Sequence, residues 1–442
     1  MAPGDSDIES KGLLGGGKVA GSKGPGCCAY VCCGIVVVLL LVVFGVYKYL
    51  TDFLTEKAIN QFITLHDTQV HEACEEPNNM MNLASKIWWP GCGQKWAENK
   101  TCGEPCYSKE WMQSIIDFDQ NEDPGKIVAY KNRPGDYTLE RQDYDVQNLT
   151  LRGWLLKAAE DAPETGSPRP RIALQHGFTS NSNKFRQITM AVILRQLGFD
   201  VLVNNFRDHC YSDDSKSRVV EWGDAYPYDL LGAYDYLVKD PHGHLGGEVD
   251  NSKVGIVGIS MGAFTTVNAF TMAKEVPAAW ADAPPASPGD VFSFGALLEM
   301  YDLIPIPKPM VDILHKLLIP GVWKTVENTA AAKGVNLNEH LPKKTIPTGP
   351  DTKRPFGLVG NSQDRTVPFQ NVIDIATMAK KYPKKYDVTQ YTAHTTCNDR
   401  THCVDHVSQF KEYKAKLCLF WYPVFGIDTD RCPEDVDKPQ MH

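Results

Sequence analysis

A serine between two glycines is the pattern in this sequence with the most direct chemical meaning. The segment Gly258-Ile-Ser260-Met-Gly262 follows the apolar run KVGIV and opens the helix-like run AFTTVNAF. A tight turn between a strand and a helix exposes a serine hydroxyl above the sheet, and the glycines leave room for that turn. The pattern predicts a nucleophile at Ser260. An ordinary glycine-rich connection is the alternative interpretation.

Such a serine needs partners, because its hydroxyl is a poor nucleophile at neutral pH. It requires a base, a carboxylate that orients the base, and N–H donors for the oxyanion. Two aspartates follow strand-like segments: Asp364 follows FGLVG and Asp282 follows AAWA. Both are candidates for the orienting carboxylate.

Three histidines near the last predicted strand and helix are candidates for the base: His394, His402 and His406. Apolar residues recur at helical spacing from about residue 404 onward, so a helix is expected to begin there. His402 then lies in the loop before the helix, whereas His406 lies within it, where reaching Ser260 is difficult. This placement favours His402 as the base, with His394 as the second candidate.

The oxyanion donors are expected from two backbone N–H groups. The turn Gln175-His-Gly-Phe178 follows the strand-like RIAL and can aim the Phe178 N–H at the pocket. The second donor is the N–H of Met261, the residue after the nucleophile. We interpret His176 as a structural hydrogen-bonding residue within this turn.

The part of the chain that contains these residues alternates strand-like and helix-like segments. Strands separated by helices of this length predict an α/β fold with a mostly parallel sheet covered on both faces. The loops at the carboxyl ends of such strands are where the chemistry is expected.

These motifs together resemble the α/β-hydrolase superfamily over residues 130 to 425, in the branch of serine aminopeptidase S33-like and prolyl-oligopeptidase-like hydrolases. The resemblance is carried by QHGF at 175–178, NFRDHCYS at 205–212, GISMG at 258–262, GNSQDRTVP at 360–368 and the His402 segment. It implies a mostly parallel sheet with helices on both faces, a helical cap, and a Ser-Asp-His triad. It implies no metal or organic cofactor.

The resemblance also orders the candidates. The usual setting of the family's acid favours Asp364 over Asp282, and an aromatic residue eleven positions after the base, here Tyr413, favours His402. One loop departs from the family pattern, because Asn205 and Cys210 stand where Asp and Gly are usual.

The amino-terminal part of the chain differs from the rest. Residues 27 to 47 contain no charge and are long enough to cross a bilayer as a helix, so we predict a single transmembrane helix, with a secretory signal as the alternative. The expected organisation is a disordered cytoplasmic tail at 1–26, the membrane helix at 27–48, a stalk and Cys-rich extension at 49–128, an α/β-hydrolase domain at 129–425 with a cap at 286–345, and a C-terminal tail at 426–442.

Glycosylation motifs and cysteines predict the side of the membrane. Asn99 and Asn148 begin N-x-T sequons beyond the span, and nine of the 13 cysteines also follow it. Cysteines at this density are typical of compartments where disulfides persist, which predicts a lumenal or extracellular body. Cys397 and Cys403 flank His402, and the sequence allows either a disulfide between them or a buried free thiol.

Composition excludes one class of partner. The chain has 45 Lys and Arg against 54 Asp and Glu, a formal net charge of -9, with no basic stripe for nucleic acid. The sequence therefore predicts a membrane-anchored serine hydrolase that cleaves an ester or thioester of a small or lipid-like acyl substrate. A serine peptidase of the same fold is one alternative, and a catalytically retired adhesion or scaffold protein is the other.

Overall fold

A computed structural model describes residues 27–65, 74, 109–119, 125–134, 148–394 and 401–433. The predicted tail at 1–26, the sequon at Asn99 and most of the Cys-rich extension lie outside these residues. The chain divides into two compact units, residues 1–52 and 53–442. The fold described below belongs to the second unit.

Eight strands form one sheet in the order β1-β2-β4-β3-β5-β6-β7-β8 within the described part of the chain. The strands from β4 to β8 in this order run parallel, and β1 and β2 add an antiparallel edge. The prediction of a mostly parallel sheet is confirmed. The strand bounds are β1 Lys126–Lys131, β2 Thr150–Leu156, β3 Arg171–Gln175, β4 Asp200–Asn204, β5 Val254–Ile259, β6 Ala279–Asp282, β7 Arg354–Asn361 and β8 Tyr386–Ala393.

Helices cover both faces of this sheet, because its central strands are apolar and buried throughout. One core cluster packs α2, α3 and α11 on one face, and a second packs α4, α5 and α9 on the other. The helix bounds are α1 Cys27–Phe62, α2 Lys109–Asp119, α3 Phe185–Gln196, α4 Tyr226–Lys239, α5 Met261–Met272, α6 Pro288–Leu303, α7 Lys308–Ala331, α8 Pro342–Thr348, α9 Phe369–Lys380, α10 Asp405–Ser408 and α11 Phe410–Val424.

Helix α1 begins at Cys27 and includes the run predicted to span the membrane. Within the described ranges, no helix combines the length and apolar character of a membrane span. The last turns of α1 belong to the second unit, where Ala58 and Ile63 are buried in a third core cluster.

The segment predicted as a cap consists mainly of α6, α7 and α8. Apolar residues of α6 and α7, such as Phe292 and Val322, join Met261 and Phe264 of α5 in the third core cluster. The cap segment therefore packs on the start of the helix that follows Ser260.

Two boundaries differ from the expected organisation. Strand β1 starts at Lys126, inside the predicted extension, and pairs along its whole length with β2. The predicted C-terminal tail is tied to α11 by a disulfide between Cys418 and Cys432. The sheet edge and the cross-link extend the folded body beyond the segment from 129 to 425.

Candidate active site

Ser260 lies in a strained turn between β5 and α5. Its φ of 58° and ψ of -121° are unusual for a residue with a side chain. A Cβ on Gly258 would lie 2.2 Å from the Gly262 carbonyl oxygen, and one on Gly262 would lie 2.4 Å from the Gln175 carbonyl oxygen. The two glycines are therefore required by the close passage of backbone around this turn.

The structure brings the three predicted side chains together. His402 Nε2 lies 2.8 Å from Ser260 Oγ, and His402 Nδ1 lies 2.7 Å from Asp364 Oδ2. The Asp364 side chain is 2% exposed and the His402 side chain 14%, while Ser260 is partly exposed. The Ser260 hydroxyl thus lies at the accessible end of two consecutive hydrogen bonds that begin at the buried Asp364 carboxyl group.

Asp364 is held by backbone donors in the loop after β7. Its Oδ1 accepts hydrogen bonds from the N–H groups of Thr366 at 2.7 Å and Val367 at 3.0 Å. Because Oδ1 is occupied in this way, Oδ2 is directed at His402. This oxygen is placed to orient the imidazole ring.

The alternative candidates for the acid and for the base have other hydrogen-bond partners. Asp282 Oδ2 accepts a hydrogen bond from the Tyr413 hydroxyl at 2.8 Å, and its nearest histidine atom is His406 Nδ1 at 3.7 Å. His394 Nδ1 lies 2.7 Å from Ser362 Oγ near the surface. Helix α10 begins at Asp405, so His406 lies within a helix and is fully buried, as the apolar spacing predicts.

Asp282 nevertheless supports the turn through its backbone. Its carbonyl oxygen accepts the Ser260 N–H at 2.8 Å, and its side chain is fixed by Tyr413, whose hydroxyl also accepts the Trp280 Nε1–H at 3.0 Å. The sequence pattern indicates Asp282 only as an alternative candidate for the acid. Its place at the end of β6, beside the end of β5, was the available signal for this positioning contact.

Cys403 is a free, buried thiol beside the histidine ring, with Sγ 3.5 Å from His402 Nε2. Burial raises the pKa of the Cys403 thiol, and the nearby carboxylates of Asp282 and Asp364 raise it further. The thiol is therefore neutral. Of the two alternatives for Cys403, the structure has the free thiol and not a disulfide to Cys397, which lies outside the described residues.

The turn after β3 runs directly against Ser260. A Cβ on Gly177 would lie 3.1 Å from Ser260 Cβ, a tight contact that glycine avoids. The next residue is Phe178, one of the two predicted oxyanion donors, and the other, Met261, opens α5. Both predicted donors thus neighbour the hydroxyl along the backbone, and their role stays a prediction.

His176 has the structural place that the sequence analysis gave it. Its Nδ1 lies 2.9 Å from the Gly177 carbonyl oxygen, and its Nε2 accepts the Phe206 N–H at 3.4 Å. Burial, with a smaller contribution from His209, lowers the pKa of His176. A neutral ring that bridges two loops fixes the turn that carries Phe178.

Comparison with known proteins identifies the fold. Residues 170–305 match the family model described as the alpha/beta hydrolase fold. The chain has the α/β-hydrolase fold. No curated protein matches the sequence significantly.

Solved structures with this fold are similar at low sequence identity. An esterase of Pyrococcus furiosus has a TM-score of 0.44 at 19% identity, over 66% of this chain and 98% of its own. A puromycin-hydrolyzing peptidase of Mycobacterium tuberculosis has a TM-score of 0.42 at 18% identity, over 69% of this chain and 40% of its own. An acylaminoacyl peptidase of Pyrococcus horikoshii has a TM-score of 0.40 at 16% identity, over 67% of this chain and 41% of its own.

The loop at 205–212, in which Asn205 and Cys210 depart from the pattern described above, has a side-chain hydrogen bond and a disulfide at these two positions. Asn205 Oδ1 accepts the Ser182 N–H at 2.8 Å. Cys210 has a φ of 49° and forms a disulfide with Cys74. A left-handed conformation explains why glycine suits this position. Here the cross-link holds a residue with a side chain in that conformation.

Phe62, at the end of α1, is the residue near the site that sequence analysis missed. Its ring packs against Phe178 with centroids 6.1 Å apart and against Phe292 of α6 at 5.3 Å. The helical spacing of apolar residues within 51–65 predicts a stalk packed on the body; these residues are Leu54, Ala58, Ile59, Phe62 and Ile63. It carried no information on which surface the stalk would contact.

Proposed function

We propose that the protein is a serine hydrolase that cleaves a carboxylic ester or thioester through an acyl-enzyme on Ser260. The observation that carries the proposal is the position of His402 between Ser260 and Asp364, within hydrogen-bond distance of both. The α/β-hydrolase fold supports a hydrolytic activity. No step of the proposal calls for a metal or an organic cofactor.

The first half of the reaction forms the acyl-enzyme. His402 Nε2 takes the Ser260 hydroxyl proton as Oγ bonds to the substrate carbonyl carbon. The oxyanion accepts hydrogen bonds from the N–H groups of Phe178 and Met261, each worth about 3 to 4 kcal/mol in well-studied hydrolases. When the intermediate collapses, His402 returns the proton to the departing alcohol or thiol.

The second half releases the acid. Water gives one proton to His402 and bonds to the acyl carbon, and the new intermediate then breaks its bond to Ser260 Oγ, which takes the proton back. Asp364 keeps Nδ1 as the donor nitrogen and stabilises the imidazolium in both halves. Each residue returns to its starting protonation state.

Replacing the nucleophile tests this proposal. We expect Ser260→Ala to lower kcat for p-nitrophenyl esters by at least about 10⁴-fold, because residues of a triad act as a unit. The variant should also lose labelling by a fluorophosphonate probe. Ser252→Ala, which changes an exposed serine in the short 3-10 turn before β5, is the matched control and should keep both.

Three results would contradict the proposal. Labelling and esterase activity in Ser260→Ala would exclude Ser260 as the nucleophile. If the protein hydrolyses aminoacyl p-nitroanilides but not esters, the peptidase function is favoured over the esterase function. An inactive wild type that takes no probe would favour the scaffold alternative.

The proposal includes a single membrane span at residues 27–48 with the N-terminus cytoplasmic and the catalytic domain lumenal or extracellular. The uncharged run at 27–47 supports the span. The disulfides Cys74–Cys210 and Cys418–Cys432 support an oxidising compartment. Asn148, the described sequon residue, is exposed and so open to glycosylation.

The topology has its own test. We expect endoglycosidase treatment to increase the gel mobility of the wild type, and Asn148→Gln to increase it by one glycan, because the sequon lies on the lumenal side. In sealed vesicles the body should resist added protease. An unglycosylated body that is digested from the cytosolic side would contradict this orientation.

A further inference from the structure

A cavity of about 170 Å³ lies between the end of α1 and the cap helix α6, beside the loop that carries Asp364. The α1 side is formed by Leu54, Ala58 and Phe62. The α6 side includes Phe292 and Gly295, and the loop contributes Thr366 two residues after Asp364. The stalk thus supplies one wall of a space that is also lined by the loop after Asp364.

The stalk wall is anchored to the body rather than lying loosely against it. Lys57 Nζ lies 2.6 Å from Glu299 Oε2, an ion pair between α1 and α6 at the rim of the cavity. The Trp222 Nε1–H donates to the Phe62 carbonyl oxygen at 3.0 Å, and Thr64 forms a β-bridge with Val219. These contacts fix the position of the cavity relative to the catalytic loops.

Phe62 joins the cavity to the nucleophile's surroundings. Its side chain lines the cavity and also packs against Phe178, whose N–H is the proposed oxyanion donor. An acyl group extends from a carbonyl carbon held between Ser260 and that donor. The cavity is therefore placed to receive the acyl chain.

We propose that the end of α1, from Leu54 to Phe62, is a specificity element that limits the acyl group to a short chain. The proposal rests on the proposed serine hydrolase function. An apolar cavity of about 150 Å³ in another protein accommodates a benzene molecule, so this cavity suits an acyl group of roughly four to six carbons. Most of the lining is apolar, and the charged Lys57 and Glu299 of that lining pair with each other.

Two substitutions on opposite walls should shift chain-length preference in opposite directions. At Gly295 an added Cβ would meet no atom within 4 Å, so a larger side chain can start into the space, and we expect Gly295→Leu to fill part of it. Leu54→Ala enlarges the same space from the stalk. Each change of cavity size should alter relative kcat/KM by roughly tenfold, since one methylene in a pocket is worth about 10- to 200-fold.

The measurement is kcat/KM of the full-length protein for p-nitrophenyl acetate, butyrate, hexanoate and octanoate. We expect Gly295→Leu to favour acetate over hexanoate relative to wild type, and Leu54→Ala to favour octanoate. Gly321→Leu, on the exposed face of α7, and Phe53→Ala, on the exposed face of α1, are matched controls with the wild-type profile.

The outcomes separate this inference from the proposed function. If the wild type hydrolyses esters but neither Gly295→Leu nor Leu54→Ala changes the chain-length profile, the stalk wall is not a specificity element while the hydrolase assignment stands. If the wild type hydrolyses none of the esters, the proposed esterase function is wrong, and this inference fails with it.

Discussion

The close approach of neighbouring backbone segments around Ser260 positions the nucleophile. Ser260 adopts a left-handed φ because its turn must reverse direction between β5 and α5 in one residue. Gly258 and Gly262 let the backbone approach this turn at distances that no Cβ would permit, and glycine at position 177 avoids a tight contact with Ser260 Cβ. The strain at Ser260 is thus supported by contacts on several sides.

Substituting one of these glycines should therefore affect activity and stability together. We expect Gly262→Ala to destabilise the protein by about 1 to 3 kcal/mol, the usual cost of overpacking, and to lower kcat by displacing Ser260. The added Cβ would press on the carbonyl oxygens of Gln175 and His176. Thermal unfolding and p-nitrophenyl butyrate turnover measure the two effects.

The control for this prediction is Gly321→Ala on α7, where an added Cβ meets nothing within 4 Å. It should leave turnover unchanged and should not lower stability, because alanine is more favourable than glycine inside a helix. Wild-type kcat in Gly262→Ala would show that the close backbone approach does not position the nucleophile.

At the scale of elements, the end of α1 is integrated with the α/β-hydrolase fold. Phe62 packs among rings from the turn after β3, from the loop before α4 and from both long cap helices. Val220 donates its N–H to the Ile63 carbonyl oxygen at 3.0 Å. The helix that leads out of the predicted membrane span is thus also part of the folded core.

Two truncations should consequently behave differently. A chain without residues 1–52 keeps the part of α1 that belongs to the second unit, and we expect it to remain active. A chain without residues 1–65 loses Phe62 and the buried Ile63, which should cost several kcal/mol of stability and most of the activity. Melting temperature and kcat/KM for the two proteins provide the test, and equal values would contradict it.

At the scale of the whole molecule, one buried acid links global stability to pH. Asp208 lies in the loop after β4, where the Ser215 hydroxyl donates to its Oδ2 at 2.5 Å. Burial is the main cause that raises the pKa of Asp208 to about 7. The hydrogen bond from Ser215 lowers this pKa, and the nearby Glu221 contributes to raising it. The folded protein therefore holds a proton that the unfolded chain releases near pH 4.

The sign of the effect follows from this difference. Between about pH 4 and 7 the native state binds more protons than the unfolded state, so the Asp208 contribution to the free energy of unfolding falls as pH rises. Over the full interval the fall amounts to about 4 kcal/mol. We expect Asp208→Asn to remove this pH-dependent loss of stability. The melting temperature of the variant minus that of the wild type should therefore be larger at pH 8 than at pH 5.

Melting temperatures of wild type and Asp208→Asn at the two pH values test the prediction. Asp374→Asn, which changes an exposed aspartate on α9, serves as the control and should follow the wild type. If the difference in melting temperature between Asp208→Asn and wild type is the same at pH 5 and pH 8, the prediction for Asp208 is wrong.

The sequence by itself determined the order of strands and helices and the candidates for the triad. Apolar runs and helical spacing depend on local preferences, so the turn at Ser260 and the loop position of His402 could be read from neighbouring residues. Local signals did not reveal β1, whose place is set by pairing with β2. They also left the choice between Asp364 and Asp282 to family resemblance.

Only the tertiary structure decided which distant residues meet. Ser260 and His402 are 142 positions apart, and their contact depends on how β5, β7 and the last loop are arranged in one sheet. The packing of Phe62 against Phe178 and the state of Cys403 were decided in the same way. The physical reason is that periodicity along a chain shows which face of an element is buried, whereas its partner depends on the packing of the whole fold.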